Sequence, residues 1–123
     1  MRRSTQGMTI IELCIVIAIL GILAAVSFPK LFGVSSDAQV AATNSVASAL
    51  SAASAQNYAA RTEKTTNGSP VTNCTSTATL LQGGVLPTGY TITAAAVAVN
   101  VTVTCTLSGP SGTTASFVTT GVL

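Results

Sequence analysis

Groups able to do chemistry are few in this chain, and their placement says more than their number. The carboxylates are Glu12, Asp37 and Glu63, far apart in sequence; there is no histidine, and Cys14, Cys74 and Cys105 are widely separated. General acid–base catalysis needs a positioned side chain that titrates near the working pH. A serine or threonine hydroxyl needs an adjacent base before it attacks anything. The many hydroxyls here have no such base nearby in sequence, and no grouping of His, Cys, Asp or Glu has metal-ligand spacing. The expectation is a chain with no catalytic residue, no metal and no cofactor.

One acid nevertheless sits where an acid is costly. Residues 8–28 are apolar apart from Thr9, Glu12, Gly21 and Ser27. A carboxylate at the centre of a bilayer costs about 2.5–3.5 kcal/mol on insertion scales, so Glu12 calls for a compensating partner. Gly7 stands immediately before this run, a place where an unencumbered backbone suits a peptidase.

The elements that must position these groups follow from the hydropathy pattern. As a helix, residues 8–28 would span about 31 Å, the thickness of a hydrocarbon core. Arg2 and Arg3 ahead of it predict a cytoplasmic N-terminus. Gly21 weakens the helix locally, and Pro29, lacking an N–H, should kink it. "FGVSSDAQ" (residues 32–39) reads as a partial break and restart, with Ser35 or Ser36 as cap and Asp37 favourable to the new helix dipole. From Asp37 to about Ala60 the pattern is helical and built of small residues. Val46, Leu50 and Ala53 form its inward stripe, extended by Val40 and Ala47 and widened by Tyr58. A helix from Met8 to near Ala60 would be about 80 Å long, too long for the rest of the chain to cover. Its first half must be buried in something else.

Beyond it, residues 61–73 read as a polar loop with turn signals at Asn67-Gly68 and Pro70. A short helix is expected after a cap at Thr75 or Ser76, ended by Gly83-Gly84. Tyr90, Ile92 and Ala94 alternate with threonines. Val97, Val99, Val101, Val103, Cys105 and Leu107 alternate with polar or small residues, and "TASFVTT" follows the turn "GPSG" with Phe117 inward. Three antiparallel strands with one apolar face need a cover, which the Val46/Leu50 stripe supplies.

Charge and cysteines narrow the function further. Only 7% of the residues are charged, with a net charge of +2. Without residues 1–7 the cations Lys30, Arg61 and Lys64 balance Glu12, Asp37 and Glu63. Such a surface offers no field to steer nucleic acid. A pair among three cysteines in an exported chain suggests a Cys74–Cys105 disulfide, against the alternative of two buried free thiols. Cys14 reads as a small apolar side chain. Arg61, Glu63 and Lys64 read as a solvated loop or, functionally, as an inter-subunit contact. The sequons at Asn67, Asn73 and Asn100 read as chance in so Thr/Ser-rich a chain, with Asn100 on a strand.

"GMTIIEL" (residues 7–13), with Gly21 and Pro29 beyond it, resembles the type IV pilins, whose processing site reads Gly, any residue, Thr, two apolar residues, Glu, Leu. The resemblance implies cleavage between Gly7 and Met8 by a prepilin peptidase and methylation of the new Met8 amine. It also implies pairing of Glu12 with the Met8 amine of a neighbouring copy, and helix softening at Gly21 and Pro29 during assembly. Met8 departs from the phenylalanine usual in one branch of the family but offers the same amine. The stretch "SFPKLFGVSSDAQVAATNSVASALSAASAQNYAAR" is similar to the helix of mannose-sensitive haemagglutinin type (MSHA) major pilins, as are the two distal cysteines.

The organisation expected is a leader at residues 1–7, a transmembrane and assembly helix at 8–30, the second half of a long helix at 31–60, and a loop plus sheet head at 61–123. The fold class expected is α+β, a long kinked N-terminal helix packed on a small antiparallel sheet. The resemblance implies a filament subunit for bacterial surface attachment. Its partners would be further copies of itself, the peptidase, the pilus assembly machinery and, before assembly, the inner membrane. The mature location would be an extracellular pilus on a Gram-negative cell. The competing readings are a type II secretion pseudopilin, a minor DNA-binding pilin, and a soluble domain released by ordinary signal-peptide cleavage near "LAAVS". Neither the receptor nor any retraction of the filament follows from the sequence.

Overall fold

The computed structural model describes residues 7–123, except for the side chains of residues 27–34. Arg2, Arg3 and most of the expected leader lie outside the described residues, as does the side chain of Pro29. The chain divides into two compact units, Met1–Ser36 and Asp37–Leu123.

One helix, α1 (Ile10–Glu63), contributes to both units. It is continuous, so the break expected at residues 32–39 does not occur and Ser35 and Ser36 are helical rather than caps. One missing N–H, at Pro29, is a local loss that the surrounding helical residues outweigh. The helix also runs three residues past Ala60. Arg61 therefore begins no loop; it lies in the last turn of α1.

In the first unit the described side chains of α1 are exposed all round the helix, from Ile10 (83%) to Ile22 (68%). In the second unit the helix is amphipathic in an unusual way. Its buried positions are Thr43, Ala47, Leu50, Ser54 and Asn57, spaced 4, 3, 4 and 3 apart along one face. The expected Val46 is only half-buried against the core, Ala53 and Tyr58 are likewise intermediate, and Val40 is exposed. The hydroxyls and amide belong inside because each is satisfied. Thr43 Oγ1 lies 2.8 Å from Gln39 O and 2.8 Å from Thr113 Oγ1. Asn57 Oδ1 accepts from Ser69 N and its Nδ2 donates to Ser69 O, both at 2.8 Å.

The sheet is antiparallel, in the order β1 (Thr91–Ile92), β2 (Thr102–Ser108), β3 (Thr114–Thr120). Strict alternation gives β2 and β3 one inward row, Cys105 and Leu107 opposite Phe117 and Ala115, and one outward row of threonine, serine and Val118. Together with Ala47, Leu50, Cys74 and Val97, the inward row forms the core. Phe117, Leu50 and Leu107 are fully buried, each worth about 1.5–3 kcal/mol in apolar burial. The β3 edge is covered by α1: Ser51 Oγ accepts from Val118 N and Ser54 Oγ accepts from Thr120 N, each at 3.1 Å. Edge amides that would otherwise invite another strand are thereby closed.

The expected strand through Val97 and Val99 begins only at Thr102. Asn100 adopts a left-handed conformation (φ +60°) and Val101 N donates to Ala98 O. That turn sends the preceding residues away from β2, and Val97 is buried while Val99 and Val101 are exposed. Asparagine tolerates this region better than a branched residue. The stretch instead makes single bridges, Asn73 with Ala96 and Val99 with Gly121, while Val71 bridges Val122. The strand expected from Tyr90 to Ala94 shrinks to two residues; Thr93 N still donates to Thr106 O, and Ala95 O accepts from Cys74 N. The expected short helix is a 3-10 helix, Cys74–Leu80, capped by Asn73, whose Oδ1 accepts from Thr75 N at 3.1 Å. The cap thus precedes Thr75 and Ser76.

Candidate functional site

The site begins where α1 begins. Gly7 and Met8 are exposed and precede the first helical residue, so the peptide bond between them lies outside the helical hydrogen-bond ladder. A side chain built on Gly7 would meet nothing within 4 Å among the described residues.

Thr9 occupies the N-cap position of α1 and Glu12 the third helical position. Thr9 N donates to Glu12 Oε2 at 2.8 Å, and Glu12 N donates back to Thr9 Oγ1 at 3.3 Å. The Thr9 hydroxyl also donates to Glu12 Oε2 at 2.8 Å. This is a capping box, in which two amides left over at a helix start are satisfied reciprocally. The sequence pattern pointed to a partner for Glu12 in a neighbouring copy, and Thr9, its partner within the chain, was missed. The Thr-x-x-Glu spacing was the signal that would have found it. The box occupies one carboxylate oxygen; Oε1 has no partner among the described residues. The carboxylate is held in place and half available.

Around it lies apolar surface. Met8, Ile10, Ile11, Leu13, Ile15, Val16, and further residues to Val26 are all exposed, and a helix apolar on every face belongs in a bilayer or among other helices. Cys14 is a free, exposed cysteine among them. A side chain on Gly21 would meet nothing within 4 Å among the described residues, so its smallness serves no contact with them. Among the described residues no helix is long and apolar enough to cross a membrane. The described side chains of the run stop at Val26, and the remainder of the expected span, to Lys30, lies outside them.

The second unit holds the other expected site, Cys74–Cys105, which is a disulfide with both residues buried and Cα atoms 5.9 Å apart. It ties the 3-10 helix to the middle of β2. Arg61, expected as a solvated residue, is half-buried; its Nη1 donates to Gly68 O at 3.2 Å and Asn67 O at 3.4 Å. With Asn57 on Ser69, it fastens the loop to the end of α1. Nothing in the sequence pattern marked Asn57 for this. Among the described residues no group of His, Cys, Asp or Glu could hold a metal ion.

No curated protein and no solved structure matches the chain. Residues 2–28 match the prokaryotic N-terminal methylation motif. The motif is the type IV pilin and pseudopilin signal, and it implies processing by a prepilin peptidase at the inner membrane and assembly by type IV pilus-like machinery. Joined to the helix and the small antiparallel sheet, it makes the α+β arrangement consistent with the pilin fold.

Proposed function

We propose that the chain is the structural subunit of a type IV filament that attaches a bacterial cell to surfaces, with no catalytic role of its own. One observation carries this reading. The methylation motif coincides with a helix whose apolar side chains are exposed on every face and whose one acid keeps a carboxylate oxygen free. Before assembly the bilayer covers such a helix, and after assembly the helices of other copies do. Cleavage between Gly7 and Met8 creates a charged amine, methylated in the mature chain. Glu12 of one copy then meets the Met8 amine of the next. Removing one member of a buried ion pair typically costs about 3–5 kcal/mol, so assembly waits for processing. Gly21 and Pro29 give the packed helices room to adjust.

The likeness of residues 27–61 to MSHA-type pilins supports an abundant attachment subunit. A processed chain whose side-chain charges cancel suits dense repetition, because identical copies repel one another little. Electron microscopy of shear-released surface material, with mass spectrometry of its main protein, tests the reading. Extended extracellular filaments made of a chain beginning at methylated Met8 are expected. A soluble monomer beginning near residue 26 contradicts it, and short structures confined to a secretion system point to a pseudopilin.

A further inference from the structure

We infer that Asn67-Gly68 is a site of spontaneous deamidation in the folded chain. In this reaction the backbone nitrogen of the following residue attacks the asparagine Cγ. Ammonia leaves, and a five-membered succinimide forms. Water then opens the ring at either carbonyl, giving aspartate or isoaspartate. The reaction needs a free asparagine side chain, an uncommitted amide after it and little bulk at the next residue.

Of the five asparagines, only Asn67 meets all three conditions. Asn44 and Asn57 lie within α1, where the next amide belongs to the helical ladder, and the Asn57 side chain is also committed to Ser69. Asn73 Oδ1 caps the 3-10 helix, and the amide after it, Cys74 N, donates to Ala95 O at 2.9 Å. Asn100 Oδ1 accepts from Tyr58, and the next amide belongs to β-branched Val101, which donates to Ala98 O. Asn67 is exposed and its side-chain amide has no partner among the described residues. Gly68, also exposed, donates no hydrogen bond from its N–H to any described residue and carries no side chain.

The product acts on the loop fastening. Arg61 holds the carbonyls of Asn67 and Gly68, and Asn57 holds Ser69. Isoaspartate routes the main chain through the former side chain, inserts a methylene there and moves the carbonyl that Arg61 holds. Either product adds a carboxylate beside the guanidinium. For a processed chain whose side-chain charges sum to zero, the sum becomes −1. On the filament reading proposed above, an ageing fibre becomes progressively anionic at its surface.

The test is peptide mapping by mass spectrometry on the full-length chain in detergent, incubated at physiological pH and temperature beside the same chain denatured and reduced. In the native chain the account expects a gain of about 1 Da, confined to the peptide containing Asn67. That peptide should elute as aspartate and isoaspartate forms, and Asn67→Gln should abolish the change. An unchanged Asn67 in the native chain while the denatured chain converts there would overturn the inference. So would no conversion in either sample, or faster conversion at Asn44, Asn57, Asn73 or Asn100. The assay needs no filament, so its failure leaves the filament reading standing, and soluble mature chains would leave the deamidation result intact.

Discussion

The hydroxyl of Ser54 on α1 lies 2.8 Å from that of Thr119 on β3, with both residues buried. Thr77 Oγ1 donates to the same Thr119 oxygen at 3.0 Å, and Thr120 N donates to Ser54 Oγ at 3.1 Å. Helix, sheet and 3-10 helix thus meet in one line of short polar side chains rather than in a layer of leucines. Because each group has a partner, the line specifies how the helix sits along β3 at little cost in desolvation.

Ser54→Ala should therefore cost more than its size suggests. It leaves Thr120 N–H without its acceptor and Thr119 with one contact fewer, a loss of about 1–3 kcal/mol. Thermal unfolding of the full chain in detergent, followed by circular dichroism, should show the midpoint fall. Ser51→Ala, which removes the half-buried acceptor of exposed Val118 and a local donor to Ala47 O, should fall less. Equal midpoints for Ser54→Ala and the parent would mean that the line contributes nothing.

Reduction of Cys74–Cys105 should destabilise the second unit while leaving the helix start alone. The two residues stand 31 apart in sequence, and a loop of that size contributes roughly 3–4 kcal/mol in the chain-entropy model. Paired Cys74→Ser and Cys105→Ser changes should lower the unfolding midpoint. Cys14→Ser, at an exposed position outside the core, should not. A midpoint insensitive to reductant would contradict the assignment.

Thr9→Ala should fray the start of α1 without altering the second unit. Loss of an N-cap side chain costs about 0.5–2 kcal/mol, and here the Glu12 carboxylate also loses a hydroxyl donor. Hydrogen exchange at the amide of Glu12, which donates to the Thr9 hydroxyl, should quicken, whereas amides of β2 and β3 should be unaffected. Thr9→Ser should restore protection. Unchanged exchange in the alanine variant would show that Glu12 is held by something other than the box.

Much of this was legible from residue order. The almost unbroken apolar run announced a helix needing an external cover, and the Gly7 to Leu13 spacing announced the processing motif. The paired distal cysteines and the strict alternation around Cys105 and Phe117 announced a stapled antiparallel sheet. What escaped was polar. Thr43, Ser54 and Asn57 did not stand out because their burial depends on partners 65 or more residues away, or across a loop. Burial is tolerable there only because tertiary contacts satisfy them. The left-handed turn at Asn100 escaped because hydropathy alternation is blind to φ; Val97 and Val99 keep the rhythm of a strand without its ladder. Thr9 was overlooked for a different reason. Its role is local, and the Thr-x-x-Glu pattern was in plain view.

The proposed pairing of Glu12 with the Met8 amine of a neighbouring copy is put to the test by the yield of shear-released filaments from cells carrying Glu12→Ala. The chain should be made, reach the membrane fraction in parental amounts and yield filaments at least tenfold below the parent, since removing one partner of a buried ion pair typically costs about 3–5 kcal/mol. Filaments in parental abundance from the same variant would contradict the account.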